Sequence, residues 1–111
     1  MAGYERGDVV KGPDFFGASP FRPWVCIQSG AHPFDDQEGI FVAVTTTRRT
    51  EAIPLTNGDF KSGGLPKTSF VNPWTVTTIK HADIQSREGV IVENTIEAIT
   101  QNLCDFVGFD G

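Results

Sequence analysis

Arg22-Pro23-Trp24-Val25-Cys26-Ile27-Gln28, a turn-rich Ser29–Glu38, and then Ile40-Phe41-Val42-Ala43-Val44-Thr45-Thr46-Thr47 form the stretch that decides the fold. Both apolar runs are short, rich in β-branched and aromatic residues, and bounded by Gly, Pro, Ser and Asp, which is the mark of strands. An antiparallel hairpin about the turn sets Arg22 opposite Thr46 or Thr47, with Thr45 beside them. One end of that hairpin therefore gathers a guanidinium and several hydroxyls. The other end carries the turn, with His32 and the acidic Asp35, Asp36 and Glu38.

Outward from the hairpin, the same punctuation continues. Asp8-Val9-Val10 is a short first strand, followed by a loop from Gly12 to Phe21. Ala52-Ile53-Pro54-Leu55 is an edge piece, because its proline cannot donate to a central ladder. Ser62 to Pro66 reads as a loop; Thr68–Val71, Val76–Ile79 and Gly89–Val92 read as strands. From Asn94 the period changes: Ile96, Ile99, Leu103 and Phe106 recur at helical spacing on one face. Asn94 with Glu97 predicts a capping box, and Gly108 predicts the helix stop. Several short strands and one terminal helix make a mainly β chain, a small, partly open antiparallel barrel.

Composition narrows the class. The 111 residues suit one domain, 1–111, with an ordinary 39% hydrophobic content. No apolar run reaches the roughly 18 residues of a membrane span, and the polar opening does not read as a signal peptide. The expected location is the cytoplasm. Cys26 and Cys104 sit in apolar surroundings and read as reduced core residues. No His/Cys cluster or phosphate-cradling glycine loop is visible, so neither a metal nor a cofactor is expected. A net charge of −5 opposes indiscriminate nucleic-acid binding. A nucleic-acid substrate would need local positive charge.

The segment Arg22-Pro23-Trp24-Val25, followed by the strand that closes on Thr45-Thr46, resembles the MazF/PemK toxins. So does the Gly7-Asp8-Val9-Val10 opening, the later Thr78-Ile79, and the helix ending in Phe106-Val107-Gly108. Arg-Pro alone says little; the ordered set is specific. The resemblance implies an SH3-like barrel, a homodimer, a cognate antitoxin, and cleavage of single-stranded RNA by the ribose 2′-hydroxyl without a metal. It implies Arg22 and Thr45 as catalytic residues. The chain departs from the family in the Gly17–Phe21 loop, which lacks the usual acid. It departs also at Trp74-Thr75, where an acid and Gln are usual, and at Thr77, where a basic residue often stands.

The residue chemistry agrees with that implication. Phosphodiester transesterification builds charge on non-bridging oxygens, where fixed donors stabilise the transition state. Arginine offers a planar fork matched to phosphate. The plain alternative is that Arg22 pairs with a surface carboxylate and the threonines are simply good strand sequence. Thr46, Thr47, Arg48 and Arg49 extend the expected substrate-binding mouth, unless the arginines are a solvated turn pairing with Glu51. His81 is the expected proton acceptor, since imidazole titrates near neutrality; an exposed strand-end histidine is the alternative. His32 is set aside, roughly 25 Å from Arg22 along the strand at ~3.3 Å per residue. Trp74 is a candidate base-stacking residue, and Phe15, Phe16 and Phe21 are weaker ones. A rival of the same fold is a gyrase-poisoning toxin that binds through an exposed apolar helix end, for which Phe106, Val107 and Phe109 qualify. A non-catalytic nucleic-acid-binding barrel is a third reading.

Overall fold

Strand β1 (Asp8–Pro13) pairs antiparallel with β2 (Phe21–Cys26), and β2 with β3 (Glu38–Thr45), in a computed structural model that describes residues 3–17 and 19–109. Then come β4 (Ile53–Leu55), β5 (Phe60–Gly63), β6 (Ser69–Lys80), β7 (Ser86–Ile91) and helix α1 (Glu93–Val107). The seven strands form one antiparallel sheet in the order β4-β6-β3-β2-β1-β7-β5, curled into a nearly closed barrel. The expected class, mainly β with a C-terminal helix, holds.

The central hairpin forms with a tighter register than its turn suggested. Trp24 lies across from Ala43, Val25 from Val42 and Cys26 from Phe41. Carried two residues further, this register sets Arg22 level with Thr45 rather than with Thr46 or Thr47. Alternation along the strands then sorts side chains between two cores. Val25, Val42 and Val44 join Val9, Val71 and the helix residues Ile96 and Ile99 in one. Trp24, Cys26, Phe41 and Ala43 join Val10, Ile79 and Ile84 in the other. Burial on both faces explains why these strands read as continuous apolar runs.

Strand β6 is a single strand where two were expected. Val42 pairs with Val76 and Ala43 with Asn72, so Pro73, Trp74 and Thr75 bulge from the ladder. Pro73 has no N–H to offer a neighbour, which is the local reason for the break. Its side chain is buried, while Trp74 is turned outward at 38% exposure. Strand β5 stands where a loop was read. Gly63, at φ +66, lies against the Glu88 carbonyl, where a Cβ would collide. The Gly63-Gly64 pair hid that strand, although only Gly63 has to be glycine there. β4 is an edge strand as its proline required, paired to β6 alone.

Helix α1 buries Ile96 and Ile99, with Leu103 packed against the same core. Phe106 does not follow them inward; it is half exposed and meets Trp74 edge-on, ring centroids 5.5 Å apart. Gly108 ends the helix at φ 89, in the left-handed region. The helix start differs from the expected Asn94–Glu97 box. Its cap position is Val92, whose side chain cannot cap. Asp59, from a 3-10 turn at Asn57–Asp59, instead fastens the helix start from a distance. Its carboxylate accepts from the Thr56 N–H (2.7 Å), the Thr56 hydroxyl (2.9 Å) and the Thr95 hydroxyl (2.7 Å). Its carbonyl accepts from the Val92 N–H at 2.9 Å.

Burial raises the Asp59 carboxyl, but the hydrogen bonds from Thr56 and Thr95 outweigh it and hold the group below its ordinary value of 3.8. A depressed carboxyl stabilises the fold above its unfolded pKa, and that contribution is lost as pH falls through the folded value. Asp59→Asn is therefore expected to cost about 1–2 kcal/mol at pH 7, in line with lost charge-assisted hydrogen bonds. In urea unfolding, the gap between variant and wild type should close as the pH drops below the carboxylate range. A gap independent of pH would refute the assignment.

Candidate functional site

An open cleft of about 530 Å³ lies at the end of the hairpin where β3 leaves the core. Three structural causes build it. Alternation along β2 puts Arg22 on the same face as Trp24, and along β3 it puts Thr45 on the same face as Phe41 and Ala43. The β6 bulge delivers Asn72, Trp74 and Thr75 to the same wall. The β3–β4 connection supplies Thr47, Arg49 and Glu51.

Arg22 is held rather than waving in solvent. Its Nη2 donates to the Val44 carbonyl at 2.8 Å, and its guanidinium lies 4.6 Å from the centre of the Phe16 ring. Asp14 faces Nη1 at 3.8 Å, longer than a hydrogen bond. That carboxylate is engaged elsewhere: Oδ1 accepts from the Phe16 N–H at 2.8 Å, and Oδ2 from the Ser19 N–H at 3.2 Å. Asp14 thus ties the loop before β2 into a turn that lays Phe16 under the guanidinium. The Nε of Arg22 is buried and has no hydrogen-bond partner among the described residues. Leaving such a donor unmade is costly, and it means the guanidinium is only partly satisfied by its neighbours.

Thr45 is oriented too. Its Oγ1 accepts from the Thr47 N–H at 3.1 Å, which leaves the hydroxyl proton free to donate elsewhere. Thr46 turns to a neighbouring cleft, which Arg22 and Thr45 also line. Arg48 is exposed on the same turn and lines neither cleft. Arg49 and Glu51 share the main cleft, and among the described residues no ion pair joins them. The expected gathering of Arg22, Thr45, Thr47, Arg49 and Trp74 is what the fold produces.

His81 is not part of it. It follows β6 at Lys80, which pairs with Glu38, whereas Thr45 pairs with Phe70 at the far end of the same ladder. That is roughly 23 Å of strand at ~3.3 Å per residue. The His81 ring instead packs edge-on against Tyr4, centroids 5.4 Å apart, in a separate cleft. The argument that set His32 aside applies equally to His81, because β6 runs antiparallel to β3. His32 itself is structural: its Nδ1 accepts from the Phe34 N–H at 3.0 Å. Phe15 and Phe16 both pack on Trp24.

Asp14, Asn72 and Glu51 escape a reading of the sequence. Asp14 stands three residues before Gly17, outside the segment searched for an acid; the Asp-Phe-Phe-Gly turn was its only signal. Asn72 is placed by a bulge that no periodicity reveals. Among the described residues, no three His, Cys, Asp or Glu side chains gather closely enough to hold a metal ion. No described helix is long and apolar enough to cross a membrane.

No protein-family model matches the sequence, and no curated protein matches it. Solved structures do match. An endoribonuclease from Mycobacterial species superposes with a TM-score of 0.78 at 22% identity, over 100% of this chain and 97% of that one. A Mycobacterial endoribonuclease in complex with its cognate antitoxin gives 0.77 at 24% identity, over 97% and 98% of the two chains. MazE–MazF from Deinococcus radiodurans gives 0.74 at 12% identity, over 99% and 100%. The chain has the MazF-type fold over its whole described length.

A thiol is the other nucleophile to weigh. Cys26 and Cys104 are both free; Cys26 is buried and Cys104 half buried, and neither lines the main cleft. Burial pushes the Cys26 thiol up to about 11, which starves it of thiolate. Native protein should therefore label with iodoacetamide at Cys104 first, and at Cys26 only on unfolding. Prompt labelling of Cys26 in mass spectra would contradict its seat in the core.

Proposed function

We propose that the chain is a toxin-type endoribonuclease that cuts single-stranded RNA at the Arg22–Thr45 cleft. The observation that carries this reading is a fixed, incompletely partnered guanidinium level with a free hydroxyl donor. Around a phosphodiester, Arg22 and Thr45 donate to the non-bridging oxygens, where charge grows as the ribose 2′-hydroxyl attacks phosphorus. The products are a 2′,3′-cyclic phosphate and a free 5′-hydroxyl. No step needs a metal. Thr47 and Arg49 follow the backbone away from the scissile bond, and Trp74 offers its face to an unpaired base. The structural neighbours, two endoribonucleases of which one is in complex with its cognate antitoxin, support the same reading. A cytoplasmic location and an antitoxin partner belong to it.

A second reading has one observation in its favour. Phe106, Val107 and Phe109 are 49%, 70% and 62% exposed, so the helix end is an apolar surface fit to grip a protein such as gyrase. Inhibition of DNA supercoiling without RNA cleavage would select it.

Assembly follows from the same surface. Apolar area at the helix end and the unpaired edges of β4 and β5 favour a symmetric pair. Light scattering is expected to report a dimer; a mass near 12.1 kDa at micromolar concentration would count against it.

For the chemistry, Arg22→Ala should lower the cleavage rate about 10²–10³-fold, the range for losing one transition-state donor. RNA affinity should fall far less, because many phosphate contacts share ground-state binding. Cleavage should survive EDTA and fail on a strand carrying a 2′-deoxy sugar at the cut. Equal cutting of the deoxy strand would exclude 2′-hydroxyl attack, and a fully active Arg22→Ala would remove the mechanism.

A further inference from the structure

We infer that Glu51 is the proton acceptor of the cleavage, a role that rests on the nuclease reading above. With His81 at the far end of the β6 ladder, the cleft must find its base elsewhere. The charged groups that line it are Arg22 from β2 and, from the β3–β4 connection, Arg49 and Glu51. Arginine does not give up its proton in proteins, and threonine is no base. A carboxylate is the one side chain there built to take a proton.

Glu51 is also available. Asp14, the other acid near Arg22, spends its oxygens on the Phe16 and Ser19 amides and does not line this cleft. Among the described residues, no hydrogen bond or ion pair engages the Glu51 carboxylate. Its backbone is held all the same: the Ala52 N–H donates to the Arg49 carbonyl at 3.1 Å, closing the turn on which Glu51 sits, and Ala52 is buried. The side chain is thus a free carboxylate on an anchored turn, lining the same cleft as Arg22 and Thr45.

The step balances without a further reagent. The 2′-O–H bond breaks and its proton passes to the Glu51 carboxylate. The 2′-oxygen bonds to phosphorus, and the P–O5′ bond breaks with its electron pair on the 5′-oxygen. That oxygen takes a proton from water, and Glu51 returns its own to solvent.

The test is a single-turnover pH–rate profile on a mixed-sequence single-stranded RNA, using the full chain. Glu51→Gln should lower the rate about 10²–10⁴-fold, the range for a positioned base, with unchanged RNA Kd. It should also abolish the rise in rate from acid towards neutral pH. Glu51→Asp should keep that rise at a reduced rate, which a merely structural role would not predict. Glu51 is exposed and Gln is isosteric, so folding should be untouched, as circular dichroism will report. Glu51→Gln with wild-type rate and pH rise overturns the inference, as does a rate lost only through weaker RNA binding. An active wild type beside an unaffected Glu51→Gln leaves the nuclease reading intact. A wild type that cuts no RNA at any pH removes both.

Discussion

Val42 and Ala43 stand next to each other on β3, yet each faces a different core. Strand β3 lies between β2 and β6 with both faces covered, so its register cannot slip by one residue. A slip would drive the Phe41 ring into space shaped for Val42 and turn Thr45 towards the interior. The chemistry at the strand end therefore inherits its precision from the packing in the middle. Thr45 is the first position where the same alternation emerges from the core, and Arg22 is its counterpart on β2. No loop has to be placed accurately for these two to meet. A donor pair mounted on adjacent strands is as rigid as the barrel itself.

The bulge in β6 is the second determinant. A regular strand would have continued the ladder past Ala43 and closed the space beside it. The three residues that leave the ladder widen that space, and Pro73 makes the departure obligatory by offering no N–H. The same residues bring Trp74 against Phe106, so the end of α1 lines the cleft as well.

Strands set by hydrophobic alternation were legible, and so were their consequences. The Arg22-Pro23-Trp24 and Val44-Thr45 segments carry their own alternation, which is why Arg22 could be brought to the threonine end of the hairpin before any coordinates, although the exact register, Arg22 level with Thr45 rather than Thr46 or Thr47, could not. What could not be read depends on contacts remote in sequence. β5 needs Gly63 and Gly89 because another backbone passes close by, and nothing local announces that. The helix start relies on Asp59, far upstream, so the local Asn94–Glu97 pattern misled. His81 looked suitable by residue type, but antiparallel pairing of β6 to β3 carries it away from Arg22. Its distance follows from the pairing order, β6 next to β3, which residue patterns do not state.

The electrostatics of the cleft turn on how incompletely Arg22 is neutralised. The chain carries a net charge of −5, so any anion would approach against an unfavourable mean field and would have to be drawn by a local one. Had Asp14 met the guanidinium as a bidentate pair, it would have filled the donor fork and left nothing for an anion. Its oxygens are instead committed to two backbone amides, and it faces Nη1 from 3.8 Å. At that separation it orients the charge without sharing a proton. The Phe16 ring supports the guanidinium from one side, where a π face attracts a cation without consuming a donor. The Val44 carbonyl takes one N–H and fixes the plane. Each neighbour thus restrains the position of Arg22 while leaving its charge for an incoming anion, which is the condition a preorganised site must meet.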